Sequence, residues 1–424
     1  MEKLKERIKI FWNLPISLKA FYYLLLLTFG YNIFSYIRPI INAAGLSEST
    51  DKIFSIFWIV GIYFTLSLFF KTIRLIDIVV YLAICAFYYL SPTIYPNTRF
   101  FVESTFSLFA LETFPFYFIA LMIDFHRDKS VLTIISKLQL MMAAFFVLIS
   151  LLGLINSEVT SEQMTLSYSV LFPTMFLYYI FSGTKKIMDL LYFLLGVVLI
   201  LMLGTRGPLL CLIVFLLAFL FLNFRHNPVM TINLLLVIGA FYIFLRPIML
   251  VLMFLTRMVG LSTRIFESFL DDELVNYESS SGRDKIHELL WNQIVNDRGG
   301  IGYGLGSDRI MGRSGTEYAH NLVYEVWMDF GLYIGSFLLI IFILFIIKVF
   351  KKAYGSDKFN LFLILFVWSV VHMLLSGSYL HDFHIYIFIG YCVSILRSHN
   401  EDNSGEEDEV FICIPDNTSL NNLK

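Results

Sequence analysis

Residues 331–349 read Gly331-Leu332-Tyr333-Ile334-Gly335-Ser336-Phe337-Leu338-Leu339-Ile340-Ile341-Phe342-Ile343-Leu344-Phe345-Ile346-Ile347-Lys348-Val349, an apolar run whose single charge stands one residue from its end. A helix needs about 20 such residues to cross bilayer hydrocarbon, where every backbone N–H and C=O must find its partner within the segment. Comparable runs lie at 20–37, 53–70, 76–94, 105–123, 138–156, 166–183, 187–203, 208–224, 229–255, 359–376 and 383–397. The expectation is an all-α polytopic membrane protein of about twelve spans. No run alternates with the dyad period of a transmembrane barrel.

Composition points the same way. The 424 residues are 58% hydrophobic, 17% aromatic and only 15% charged, against roughly 25% charged in a soluble domain. Mean hydropathy is +0.74. A net charge of −2 gives no basic field for nucleic acid. Cys85, Cys211 and Cys392 lie in apolar runs and Cys413 in the tail, with no CxxC spacing; they read as inert small hydrophobes.

Orientation follows from the Lys/Arg bias of the short connections. One set carries Lys3, Lys5, Arg7, Lys9, Lys19, Lys71, Arg74, Arg127, Lys129, Lys137, Lys185, Lys186, Arg225, Lys348, Lys351, Lys352 and Lys358; the alternate set holds Arg38, Lys52, Arg99 and Arg206. Both termini are therefore expected in the cytoplasm. The opening basic segment leads into an uncleaved first span, because no small-residue cleavage site follows it. The chain divides into an N-terminus at 1–19, spans one to nine over 20–255, an outward loop with an interfacial helix at 256–330, spans ten to twelve over 331–397, and an acidic tail at 398–424. That loop, with its polar stretch between Arg257 and Ala319, far exceeds the usual connection of about 4–6 residues. An ordered lid is expected there, with a helix from Arg283 to Val295.

Four segments on the outward side carry candidate chemistry. Gly204-Thr205-Arg206-Gly207-Pro208 ends the seventh span with a planar cation suited to phosphate oxygens; an arginine snorkelling to lipid phosphates is the plainer reading. Ser281-Gly282-Arg283, with His287 and Trp291 at helical spacing, offers an anion-friendly helix start or an exposed face. Gly302-Tyr303-Gly304-Leu305-Gly306 reads as a turn close to the membrane surface rather than a phosphate cradle, since no strand precedes it. In Ala319-His320-Asn321-Leu322-Val323-Tyr324-Glu325-Val326-Trp327-Met328-Asp329-Phe330-Gly331, Asn321, Glu325 and Asp329 stack at i, i+4. His320 stands at that helix start and Gly331 at its end. A neutral imidazole there accepts a proton from a sugar hydroxyl or, equally, orients the helix by a hydrogen bond.

Together these segments, from Gly204 to Gly335, resemble the bacterial O-antigen ligase and polymerase family. The carriers are the arginine after a glycine outside the seventh span, the SGR start with a downstream Trp, the GxGxG turn, and above all AHNxxxExxxxxGL. The first six spans match only in being hydrophobic. The resemblance implies a bacterial inner-membrane enzyme working on the periplasmic face. It would transfer glycan from an undecaprenyl pyrophosphate-linked oligosaccharide to a glycan acceptor, with no cofactor, no nucleotide sugar and no required metal. It assigns Arg206 and Arg283 to the pyrophosphate and His320 to acceptor activation, with Gly204, Gly207, Gly302, Gly304, Asn321, Glu325 and Gly331 in support. A repeat-unit polymerase is the leading expectation, a ligase onto lipid A core the second, and a flippase the alternative from another class. A flippase and a chain-length regulator are candidate partners.

Three further features stay open between structure and function. His381 and His384 have the His-x-x-His spacing of metal ligands, but with no carboxylate cluster in register they read better as acceptor contacts or interfacial anchors. Arg246-Pro247 interrupts the ninth run, and Glu112 stands in the fourth beside Pro115.

Overall fold

Apolar runs become helices wherever the computed structural model describes them: residues 47–69, 73–123, 125–151, 160–203, 205–223, 283–297, 299–311 and 319–398, with isolated positions within 18–28 and 250–254. In chain order the helices are α1 Ser47–Phe69, α2 Leu75–Ile94, α3 Arg99–Leu108, α4 Pro115–Ala120, α5 Phe125–Leu151, α6 Thr160–Thr184, α7 Ile187–Met202, α8 Arg206–Asn223, α9 Arg283–Asn292, α10 Ser307–Met311, α11 Leu322–Phe330, α12 Leu332–Ala353, α13 Lys358–Phe366, α14 His372–Leu375 and α15 Phe383–Arg397. Among the described residues there is no strand, only an isolated bridge between Ile301 and Gly331. Four segments are long and apolar enough to cross a membrane: Leu75–Ile94, Asp128–Ile149, Leu332–Ala353 and Lys358–Leu375. Shorter apolar helices cover Ile56–Leu66, Ile187–Met202, Arg206–Leu222 and Phe383–Arg397. The predicted spans at 20–37 and 229–255, Arg246 with the latter, fall largely or wholly outside the described residues.

The helices depart from the predicted spans for local reasons. The fourth run is interrupted: Pro115 has no N–H to return to the preceding turn, and the ladder slips so that Phe114 N donates to Phe109 O at 2.9 Å. Glu112 sits in this π turn, Phe109–Thr113, neither buried nor fully exposed. A second π turn, Val367–Val371, joins α13 to α14. Helix α5 starts at Phe125 rather than 138, so Lys137 lies within it. Its charge is met there by Asp189 Oδ1 at 2.6 Å, which removes the need for a solvated loop. Helix α12 leaves Ile334, Phe337, Ile340, Ile341 and Leu344 exposed along its length, a continuous apolar surface suited to lipid.

Antiparallel neighbours sort the polar groups into two rims. At one, the start of α2 meets the end of α15. There Arg397 grips Asp77 in a two-pronged pair, Nη1 to Oδ2 at 2.9 Å and Nη2 to Oδ1 at 2.6 Å, while Tyr117 Oη donates to Oδ1 at 3.0 Å. Lys352 in the last turn of α12 donates to Leu396 O at 2.8 Å. Asp189 at the start of α7 takes Thr184 Oγ1 at 2.9 Å as well as Lys137. The opposite rim gathers the ends of α2, α7 and α14 with the starts of α3, α6, α8, α12 and α15. The described part of the long connection, α9 to α11, packs onto it.

Candidate functional site

The 319–331 segment organises this second rim. Asn321 is extended (φ −156°) and accepts from Val323 N at 2.9 Å, the side-chain cap that starts α11. Its amide donates to Leu374 O at 3.0 Å. His320, just before the cap, has φ 51°. This left-handed conformation costs a residue with a side chain about 1–3 kcal/mol and persists where surrounding contacts enforce it. Gly331 closes the helix at φ 86°. A Cβ on Gly302 would stand 2.5 Å from Gly331 N, so the glycine turn and the start of α12 cross backbone on backbone.

Glu325 and Asp329 share one buried face of α11, as the i, i+4 spacing predicts. Glu325 accepts from Ser378 Oγ, and from Tyr379 N at 3.2 Å. Asp329 accepts from Tyr379 Oη at 2.5 Å and Gly306 N at 2.9 Å. Burial and then the neighbouring Asp308 carboxyl push both well above the ordinary carboxylate range. The glycine turn spends its amides internally, Tyr303 N on Met328 O at 2.7 Å and Gly304 N on Asp329 O at 3.2 Å. It therefore works as a turn that braces α11.

Helix α9 begins at Arg283, as expected, and ends in a π turn, Gln293–Asp297. His287 Nε2 is 2.9 Å from Ala319 O, which makes it the protonated nitrogen of that ring, and the ring stacks on Tyr324 at 4.4 Å. Trp291 leans on Trp327 with ring centroids 5.7 Å apart. Arg283 Nη1 donates to Leu375 O at 2.6 Å. Among the described residues this is its one hydrogen bond.

His320, Arg283 and Arg309 converge. Burial first, then the charge of Arg283, then His287 and Arg309, lower the His320 imidazole to about 4. Arg309, which sequence reasoning did not single out, lies 5.2 Å over the Phe101 ring. His381 stands edge-on to the same ring at 5.6 Å and is held at about 4 by burial and then by Arg309. The available signal for Arg309 was its place immediately behind the GxGxG turn, in Ser307-Asp308-Arg309; read as one more loop cation, it carries no pattern of its own. The arrangement offers guanidinium donors to a polyanion beside an unprotonated imidazole able to take a proton.

Arg206 is exposed at the first turn of α8. Its neighbour Gly207 packs against the Tyr168 hydroxyl, and Tyr168 stacks on His372 at 3.7 Å. The structure thus sets Arg206 on the same rim as Arg283 and His320, linked through α14. Gly204 lies outside the described residues, as do Ser281 and Gly282. The His-x-x-His spacing does not act as a pair: His384 joins Asp382 and His372, while His381 turns to Phe101. The carboxylate in register is the adjacent Asp382, and the second imidazole arrives from the preceding span. An apolar cavity lined by Leu24, Thr28, Gln139, Phe172, Leu365 and Trp368 contains no titratable group and offers no chemistry.

No family model, curated protein or solved structure matches this chain.

Proposed function

We propose that the chain is a bacterial inner-membrane glycan polymerase. In this reading it transfers glycan from an undecaprenyl pyrophosphate donor to a lipid-linked repeat-unit acceptor at the periplasmic face. The observation that carries the proposal is His320: a left-handed, half-buried imidazole kept neutral beside Arg283 and Arg309. Pyrophosphate leaves readily once its charge is met, so arginines aimed at it stabilise the charge that develops in the transition state. His320 removes the acceptor hydroxyl proton as that oxygen attacks the anomeric carbon and the bond to pyrophosphate breaks. Because neighbouring cations help depress the imidazole, a pyrophosphate lying between the arginines raises it toward the operating pH, where a base works best. The donor thereby tunes the base. Arg206, on the same rim, completes the anion contact. The Lys-rich rim bearing Lys185, Lys186, Lys351, Lys352 and Arg397 faces the cytoplasm by the positive-inside rule.

A ligase onto lipid A core shares this donor chemistry. A flippase instead concentrates ionisable groups near the midplane, whereas His320, Arg283 and Arg309 come together at one rim. Purified chain supplied only with the undecaprenyl pyrophosphate repeat unit decides among the three. A ladder of elongated glycans is the expected product. Transfer only when lipid A core is added makes the chain a ligase, and substrate translocation in vesicles without a new glycosidic bond abandons the proposal. A reporter fused at Lys352 should be active only as a cytoplasmic fusion; periplasmic activity there inverts the assigned face.

A further inference from the structure

We propose that His372, Asp382 and His384 form a site for one zinc ion that clasps the outer junction of the last two spans. The inference does not depend on glycan transfer. The three side chains come from the end of one span and the start of the next, and each presents a ligand atom within 4.8 Å of the others. His372 Nδ1 lies 3.4 Å from Asp382 Oδ2. Two ligands each about 2.0–2.1 Å from a tetrahedral ion lie about 3.3–3.4 Å apart. The contact falls outside hydrogen-bond geometry: His372 Nδ1 is buried, on a side chain only 8% exposed, with the Trp368 backbone as a further polar neighbour of the ring. Stacking on Tyr168 fixes the ring plane. His384 Nδ1 closes on Asp382 Oδ1, so the carboxylate faces both imidazoles at once.

Capping alone explains less of this. Asp382 Oδ1 does accept from His384 N at 3.0 Å and starts α15, but that cap uses neither His372 nor Oδ2. The remaining side is kept clear by Gly377 (φ 93°), where a Cβ would stand 3.1 Å from Asp382 Oδ2 and 3.6 Å from His372 Nε2. Two imidazoles and one carboxylate suit zinc, whereas magnesium and calcium prefer all-oxygen sets. The ion holds the 376–382 turn, whose Ser378 and Tyr379 bond Glu325 and which follows Leu375, the acceptor of Arg283. Its role is to position that turn, without contact to the reacting atoms.

The test uses full-length protein purified in detergent, stripped with chelator, and titrated with Zn(II) and separately with Co(II). The expected result is about one equivalent bound at the order expected for three protein ligands, Co(II) absorption bands of four-coordinate type, and a higher melting temperature with Zn(II). His384→Ala and Asp382→Ala should each weaken binding by more than about 100-fold, beyond the effect of losing an outer-shell partner. His381→Ala should retain it. The proposal fails if wild type binds no more zinc than a monodisperse His372→Ala/His384→Ala protein, or if His381→Ala removes the site. Should the double variant not fold, a wild-type Co(II) spectrum lacking four-coordinate bands overturns the assignment by itself.

Discussion

The two rims of this bundle use similar residues in opposite ways. At the rim of Asp77 and Arg397 the buried carboxylates are met locally: Arg397 and Tyr117 on Asp77, Lys137 and Thr184 on Asp189, with Lys352 on a helix-end carbonyl. At the rim of His320, arginines and histidines face one another, and the nearby carboxyls are buried and bonded to hydroxyls and amides instead. Paired charges hold helices together, whereas buried titratable groups that perturb one another mark a candidate functional site. Substitutions at the two rims should therefore separate stability from chemistry.

The largest effect is expected at His320. His320→Ala should slow transfer by about 10²–10⁴-fold with donor binding nearly retained. Equal turnover of variant and wild type removes the imidazole from the reaction. Arg283→Ala and Arg206→Ala should each cost about 10²–10³-fold, the scale of losing one transition-state donor. Lysine should recover only part, since a point charge cannot reproduce the planar fork. Full activity in both alanine variants would reduce these arginines to lipid-headgroup contacts.

Asp77→Asn should do the reverse. Breaking a buried pair costs about 3–5 kcal/mol, and with Arg397 a quarter exposed the lower end applies. Denaturation in detergent should reveal this loss, while turnover per folded molecule stays unchanged. A variant that is stable but inactive would show that the rim of Asp77 and Arg397 also serves the reaction.

The smallest effects are in pH. With His320 depressed to about 4, the free enzyme's kcat/KM should stay flat through the neutral range and fall only as the pH approaches that value; a limb near the ordinary imidazole value of roughly 6.5 contradicts the burial described. For Glu325 and Asp329, both raised, the folded state binds more protons than the unfolded one above the ordinary carboxylate pKa. Their contribution is complete below that unfolded value and is lost as pH rises through the folded one. Stability should thus decline toward alkaline pH, with a shallower slope in Glu325→Gln.

Much of this architecture is written locally. Apolar length fixes the helices, and the Asn321 cap, the Glu325 and Asp329 face and the Gly331 stop follow from spacing within one short segment. The slipped ladder before Pro115, the start of α5 at Phe125 and the reach of Lys137 to Asp189 depend on neighbouring helices. The site divides in the same way. His320 and Arg283 belong to motifs, whereas Arg309 acquires meaning only where it meets Phe101 and His381. His372 lies in an apolar run with no motif of its own, and the structure brings Asp382 and His384 of the next span to it. The left-handed backbone at His320 is likewise imposed by contacts on both sides.

The backbone crossing at Gly302 and Gly331 has a mechanical consequence. Helix α12, Leu332–Ala353, is roughly 33 Å long, close to the thickness of bilayer hydrocarbon, and such a helix meets a thinner or thicker membrane by changing its tilt. With no side chain to act as a spacer, Leu332 N also bonds Gly300 O at 2.9 Å, so the turn follows the helix as a rigid arm. Any tilt of α12 that follows acyl-chain length would then be passed through Gly300 and Gly331 to Asp329 and the residues bonded to it.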